Sequence, residues 1–291
     1  MDLAELRIFK AVVEEGGIAK AARRLHRVPS NVTTRVKQLE SDLGTELFFR
    51  DRKRLILSPA GERLLAYAEK LLGLAEEARS AVSGSTPRGV LRLGALESTA
   101  ASRLPPVLAR YHRAYPDVRV ELKTGTNDAL TAAVLDRRLD AAFVAEAPAG
   151  QTDLAHMALF AERLMVISSL EHRRIRRPAD VEGDSVIAFP DGCAYRRRLH
   201  RWLGDAIPAM RILDLSSYHA IVACVASGTG IALVPESVLE TVQGAQVKRH
   251  RIPREYTEVV TPLIWRPRED SAALMALREE LGRTMRVSAR S

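Results

Sequence analysis

Residues 3–57 narrow the possible folds more than any other part of the chain. Leu3, Leu6, Phe9, Val12 and Val13 recur at helical spacing, and Gly16-Gly17 ends the helix they predict. A second short helix is expected over 18–26, where the small Ala21-Ala22 pair lets a neighbouring helix approach closely. The turn His26-Arg27-Val28-Pro29 breaks the pattern, because proline disfavours helix in the residue before it. A third helix then runs to about residue 43, with Val32, Val36, Leu39 and Leu43 on one face and Gly44 as its stop. Three short helices with a tight turn before the last make a helix-turn-helix. Two β-prone pieces follow, LFFR at 47–50 and LIL at 55–57, and they bracket a charged tip as a hairpin wing does.

On the third helix, Ser30, Thr34, Lys37 and Ser41 point away from the apolar stripe, and Asn31, Thr33 and Arg35 flank it. An apolar back with a polar front is what a helix needs to sit in the major groove of duplex DNA. A solvated helix of no special function has the same look, so the surroundings must decide. Between Gly16 and Lys37 stand Lys20, Arg23, Arg24, Arg27, Arg35 and Lys37, with no acidic residue among them. A second basic cluster, Arg50, Arg52, Lys53 and Arg54, is interrupted only by Asp51, and the whole chain carries a net charge of +8. Basic charge concentrated on one small unit suits a phosphate surface. Arg52, Lys53 and Arg54 at the wing tip are placed to reach the backbone or a minor groove.

Residues 16–61 resemble the DNA-binding domain of LysR-type transcriptional regulators. The shared pattern is A-A-x-x-L-H in the second helix, L-E-x-x-L-G ending the third, then L-F-x-R and L-[ST]-x-A-G, in order and at fixed spacing. The rest of the chain has the length and layout the family implies. Where many members carry Ser-Gln-Pro before the recognition helix, this chain has Val28-Pro29-Ser30, and Thr33-Thr34-Arg35 stands where Ser-Arg-Gln is frequent. The base-facing surface is therefore its own. The resemblance implies DNA contacts at Pro29, Ser30, Thr33, Thr34, Arg35, Lys37 and the wing; Asn31 joins them from the helix geometry.

A long helix is expected over 59–83, with Pro59 in its first turn. Leu64, Ala68, Leu71, Ala75, Ala78 and Val82 recur with alternating gaps of four and three, the period of a coiled-coil seam. One helix of a monomeric bundle would carry a similar stripe. A dimer is the preferred reading, because paired recognition helices read a two-fold site. The resemblance implies a homodimer and a homotetramer built as a dimer of dimers, with RNA polymerase as a further partner. Residues 84–89 form a polar hinge rich in Gly, Ser and Pro.

Beyond the hinge, strand-like and helix-like segments alternate, as in an α/β domain with a mostly parallel sheet. The expected organisation is a winged helix-turn-helix over 1–58, the linker helix over 59–83, the hinge and an α/β effector-binding domain over 90–291. The resemblance implies a periplasmic-binding-protein type of domain. Its subdomain I would hold about 90–162 and 268–291, and subdomain II about 163–267. Crossover strands would lie near 163–168 and 263–268, with the effector in the cleft between the subdomains. Ligands of such sheets gather at strand ends. The residues there are Ser98 and Thr99, Thr126 and Asn127, then Phe189, Cys193, Tyr195, Arg196, Ser217 and Tyr218. The family's effector contacts fall on Ser98, Thr99, Thr126 and Phe189. Arg196 and the helix N-termini favour a carboxylate-bearing metabolite; Glu97 and Glu146 would suit an amine instead.

Composition excludes other classes. Hydrophobic residues make up 46% and charged residues 27%, the balance of a globular protein. No apolar run reaches the roughly 18 residues that a membrane span needs, and the N-terminus lacks the layout of a signal peptide. Two cysteines, Cys193 and Cys224, are too few for a disulfide scaffold, so a reducing cytoplasm is expected. Seven histidines form no spaced metal motif, and no catalytic or nucleotide-binding signature is present, so neither enzyme activity nor a cofactor is expected. Two further readings stay open. One is an architectural DNA-binding protein without a small-molecule switch. The other is a thiol redox-sensing regulator acting through Cys193, whose pKa Arg196 would lower.

Overall fold

A capping box opens the chain: the Asp2 carboxylate accepts the Glu5 N–H at 2.8 Å, and the Glu5 carboxylate accepts the Asp2 N–H at 2.9 Å. The computed structural model describes residues 1–51, 54–82, 87–147, 153–181, 185–204, 211–242, 244–267 and 271–288. These divide into two units, Met1–Gly84 and Ser85–Ser291.

In the first unit, helix α1 (Leu3–Glu15) is stopped by Gly16 at φ 68°, a left-handed conformation that glycine adopts without strain. Helix α2 (Ile18–Arg24) follows. Extended Val28 (φ −80°, ψ 144°) leads into α3 (Pro29–Leu43), with proline in the first turn and Gly44 at φ 64° closing the helix. Phe9, Ala21, Val32 and Leu39 are all fully buried where the three helices meet. Leu3 and Leu43, expected on the buried faces, sit at the two helix ends and are 38% exposed each. Strands β1 (Phe48–Asp51) and β2 (Arg54–Leu57) pair antiparallel with Asp51 opposite Arg54.

Helix α4 (Pro59–Val82) begins at Ser58, whose hydroxyl donates to the Glu46 carbonyl at 2.7 Å and accepts the Gly61 N–H at 3.0 Å. A Cβ at Gly61 would collide with the Leu47 carbonyl oxygen. The Ser-x-Ala-Gly ending of the motif is thus a packing requirement where the helix crosses the wing.

The second unit begins with β3 (Gly89–Ala95), α5 (Glu97–Ser102), α6 (Leu104–Ala114), β4 (Val118–Thr124), α7 (Asn127–Leu135), β5 (Ala141–Phe143) and β6 (Ala155–Ser168). It continues with β7 (Ser185–Ala188), α8 (Ala194–Leu203), β8 (Arg211–Asp214), α9 (Tyr218–Ala226), β9 (Ala232–Pro235) and α10 (Glu236–Thr241). Strand β10 (Lys248–His250), α11 (Arg254–Thr257), β11 (Glu258–Trp265) and α12 (Ala272–Ser288) complete it.

Strands β4, β3 and β5 run parallel, and so do β7 and β8. The sheet as a whole is mixed. The long strand β6 lies antiparallel to β11 from Ala155–Trp265 to Arg163–Glu258, and its second half pairs antiparallel with β9 and β10. This second half is the expected crossover near 163–168. The return crossover comes earlier than expected, because Leu263 and Trp265 already face β5 at Phe143 and Ala141. One apolar cluster gathers Leu91, Tyr111 and Phe143 with Leu277 of α12. A larger one runs from Leu96 and Leu130 through Val166 to Tyr195 and Tyr218.

Candidate nucleic-acid interface and ligand cleft

Helix α3 turns Val32, Val36 and Leu39 inward and leaves Pro29, Ser30, Asn31, Thr34, Arg35 and Lys37 exposed. Their polar groups are not equally free. The Thr33 hydroxyl donates back to the Pro29 carbonyl at 2.9 Å, and Asn31 Oδ1 accepts from Arg27 Nη1 at 3.2 Å. Arg35 Nη1 lies 3.8 Å from Glu5, a carboxylate otherwise engaged in the α1 cap. Ser30, Thr34 and Lys37 have no hydrogen bond or ion pair among the described residues, so they present free donors and acceptors to solvent.

The wing is tied to this helix by Glu40, whose Oε1 accepts the Leu47 N–H at 2.9 Å and the Phe48 N–H at 3.3 Å. Of the wing-tip cations, Arg54 opens β2. Arg52 and Lys53 lie outside the described residues.

The expected seam on α4 needs correction. Ala68 is fully buried in the core of its own unit, and Leu64, Leu65 and Leu72 pack against the same core. At about 100° per residue this face points to α1, and Lys10 of α1 bridges to Glu69 at 3.8 Å. The outward stripe lies beside it, with Tyr67 65%, Leu71 39% and Leu74 47% exposed and Ala78 exposed as well. Ala75 is half-buried, and the side chain of Val82 lies outside the described residues.

In the second unit, a cleft lies between the ends of β3, β4 and β5 and the helices α8 and α9. It is close to shut, with room for about one water molecule. Thr126, Phe189, Cys193, Tyr195 and Tyr218 line it, as expected from the sequence. Leu96, Ala145 and Ala194 line it too, without polar chemistry to mark them beforehand. Four other expected residues are committed elsewhere. Asn127 Oδ1 accepts the Ala145 N–H at 2.8 Å; Thr99 is buried in α5; Ser217 caps α9 through its backbone; and Arg196 points to its own loop.

Arg196 was expected in a strand-end loop as a carboxylate anchor. It sits in the first turn of α8, where Nη1 binds Asp214 at 2.7 Å and Nε lies 3.3 Å from Asp191. Its neighbours are also engaged: Arg197 pairs with Asp128 at 3.0 Å, and Arg198 pairs with Glu146 and donates to the Glu255 carbonyl at 2.9 Å. Cys193 caps the same helix. Burial pushes its thiol up, and the nearby arginines only partly oppose that, which corrects the expectation of a lowered pKa.

At the cleft, Glu97 Oε2 is buried without a partner, whereas the Tyr195 hydroxyl is buried within reach of the Ser98 and Thr261 side chains. Thr261, on β11, carried no sequence signal. Burial raises the Glu97 carboxyl above its ordinary range, although the Tyr218 N–H and the nearby His219 lower it. Burial raises the Tyr195 and Tyr218 phenols as well. The arrangement offers hydrogen bonds and no nucleophile–base pair. Among the described residues, no group of three or more His, Cys, Asp and Glu is placed to hold a metal, and no helix is long and apolar enough to cross a membrane.

Comparison with known proteins identifies the domain that holds each site. Residues 3–62 match the family described as bacterial regulatory helix-turn-helix protein, lysR family, and residues 84–286 match the LysR substrate binding domain. The HTH-type transcriptional regulator GltR of Bacillus subtilis is 36% identical over 269 residues, covering 91% of this chain and 90% of its own. CzcR of Bacillus thuringiensis is 34% identical over 284 residues, covering 97% and 96%. Among solved structures, full-length CbnR with its target DNA aligns at a TM-score of 0.69 and 23% identity, over 98% of this chain and all of the other. Full-length OxyR from Pseudomonas aeruginosa aligns at 0.73 and 24%, over 97% and 94%. With one match spanning the reading head and the other the cleft-bearing unit, the chain belongs to the LysR family of transcriptional regulators, with a DNA-binding and an effector-binding domain.

Proposed function

We propose that the chain is a one-component regulator that reads a two-fold DNA site and answers to a small metabolite in the α8–α9 cleft. The observation that carries this is the free polar face of α3, with Ser30, Thr34 and Lys37 unpaired and the wing anchored beside it by Glu40. Ser30 and Thr34 read base edges, while Lys37, Arg35 and the wing cations Arg52, Lys53 and Arg54 neutralise phosphates. The CbnR structure with target DNA supports this mode of engagement.

Two chains pair through the Tyr67–Leu71–Leu74–Ala78 stripe of α4, which keeps the gaps of four and three of a helical seam and is exposed in the single chain. Two such dimers form the tetramer, which acts in the cytoplasm with RNA polymerase as its downstream partner. Effector binding shifts this assembly between arrangements that bend promoter DNA differently. A cleft lined by residues at the strand ends favours this reading over an architectural role. Cys193, buried and held in its thiol form, gives a redox switch little support. The carboxylate-bearing effector loses its anchor, because Arg196 is neutralised by Asp214 and Asp191.

Fluorescence anisotropy tests the reading. The intact protein should bind a duplex from its own promoter region at least about a thousandfold more tightly than a scrambled duplex at the same salt. Equal affinity for both would refute it.

A further inference from the structure

The cleft carries charge of one sign. Among the residues lining it, Glu97 is the charged one, and the three arginines of α8 nearest to it are each held by a carboxylate. One Glu97 oxygen receives the Tyr218 N–H; Oε2 is buried with no partner. The rings of Phe189 and Tyr218 line the same space, with centroids 4.7 Å apart and planes tilted by 45°. Aromatic faces attract cations and repel anions. A buried carboxylate oxygen left without a partner points to a ligand that supplies its hydrogen bond.

We propose that the cleft, opening from its near-shut state, takes a small alkylammonium compound, its N–H donors on Glu97 Oε2 beside the Phe189 and Tyr218 rings and its short apolar stem against Leu96 and Ala145. This rests on the cleft being the effector site. A carboxylate there would meet Glu97 with no lysine or arginine among the lining residues to balance it, so the anion suggested by Arg196 is the wrong sign.

Isothermal titration of the full-length protein with n-butylammonium, 1-butanol and butyrate separates the signs at constant chain length. The expected order places n-butylammonium about tenfold or more ahead of 1-butanol, with butyrate weakest. Glu97→Gln keeps an oxygen for the Tyr218 N–H and should cost n-butylammonium about tenfold while leaving 1-butanol unchanged. Phe189→Leu, an independent variant, should lower the ammonium-to-alcohol ratio. Thermal unfolding identifies variants that fail to fold. Butyrate binding as well as n-butylammonium, no binding of n-butylammonium, or an unaltered ratio in the folded variants would each overturn the proposal. Operator binding by the same wild-type preparation separates the two readings: its loss of sequence preference refutes the regulator, whereas intact preference with a failed ammonium series refutes only the ligand class.

Discussion

Along α3, Ser30, Thr34 and Lys37 stand in solvent with no partner in the described chain, whereas around the cleft Arg196, Arg197 and Arg198 are each held by a carboxylate. The two regions prepare for their ligands in opposite ways. A groove reader meets a large polyanion, so its donors can wait in water at little cost until phosphates and base edges replace that water. A small-molecule cleft must desolvate its ligand, so spare charge there is costly, and the fold cancels every cation it does not need. What stays unpaired in the cleft is therefore more informative than what is charged nearby. Glu97 stands out by that measure, and Arg196 does not.

The sharpest way to break the comparison is to remove the pairing that gives the reading head its second copy. Leu74→Asp puts a charge into the exposed stripe of α4 without touching Ala68 or the core behind it. Sedimentation should show monomers, and operator affinity should fall by roughly a hundredfold or more as avidity is lost. An unchanged dimer would return the seam to another face. Next in size is Glu40→Ala, which strips the acceptor from two backbone N–H groups and should cost about 1–3 kcal/mol in thermal unfolding of the first unit. Operator binding should weaken with it, because the wing loses its anchor.

Within the DNA face, Thr34→Ala should cost about tenfold on the operator and little on random duplex. Lys53→Ala should weaken both alike and lower the slope of log affinity against log salt by about one. Equal effects of the two substitutions on both duplexes would remove the distinction between base-facing and phosphate-facing positions.

The smallest expected effect comes from His250, which belongs to neither site. Its Nδ1 accepts the Ile175 N–H at 3.0 Å, which leaves Nε2–H to donate to Ser168 Oγ at 2.8 Å. Burial, with His172, Lys248 and Arg174 nearby, lowers its pKa from 6.5 to about 4. The folded chain thus binds fewer protons than the unfolded one in that window. Stability present above about 6.5 should decline as the pH falls towards about 4 and level off below. Across that range the melting temperature of the wild type should fall more steeply with falling pH than that of His250→Gln, which does not titrate; identical slopes would deny the imidazole the role.

Much of the first unit is legible in the sequence, since it depends on short-range order: helical period, two glycine stops, one proline and a charged turn. The α4 seam was readable as a period and misread as a face. Ala68 and Leu71 are neighbours in any helical repeat, and only packing against α1 decides which of them is free. The cleft was half legible. Thr126, Phe189 and Tyr218 stand at strand ends, where their chemistry marks them, but Ala145 arrives beside β5, whose pairing with β11 spans more than a hundred residues. Helix α8 left a signal in Tyr195, Leu199, Trp202 and Leu203 at helical spacing, masked by its run of arginines. Those arginines needed their partners Asp128, Glu146 and Asp214 before their role could be read.

Selection of duplexes by the intact protein from a random-sequence pool, followed by sequencing, tests the central claim most directly. The account predicts enrichment of one two-fold motif whose half-sites are about one helical turn, or a whole number of turns, apart. A selected pool with no enriched motif, from protein that still binds duplex, would contradict it.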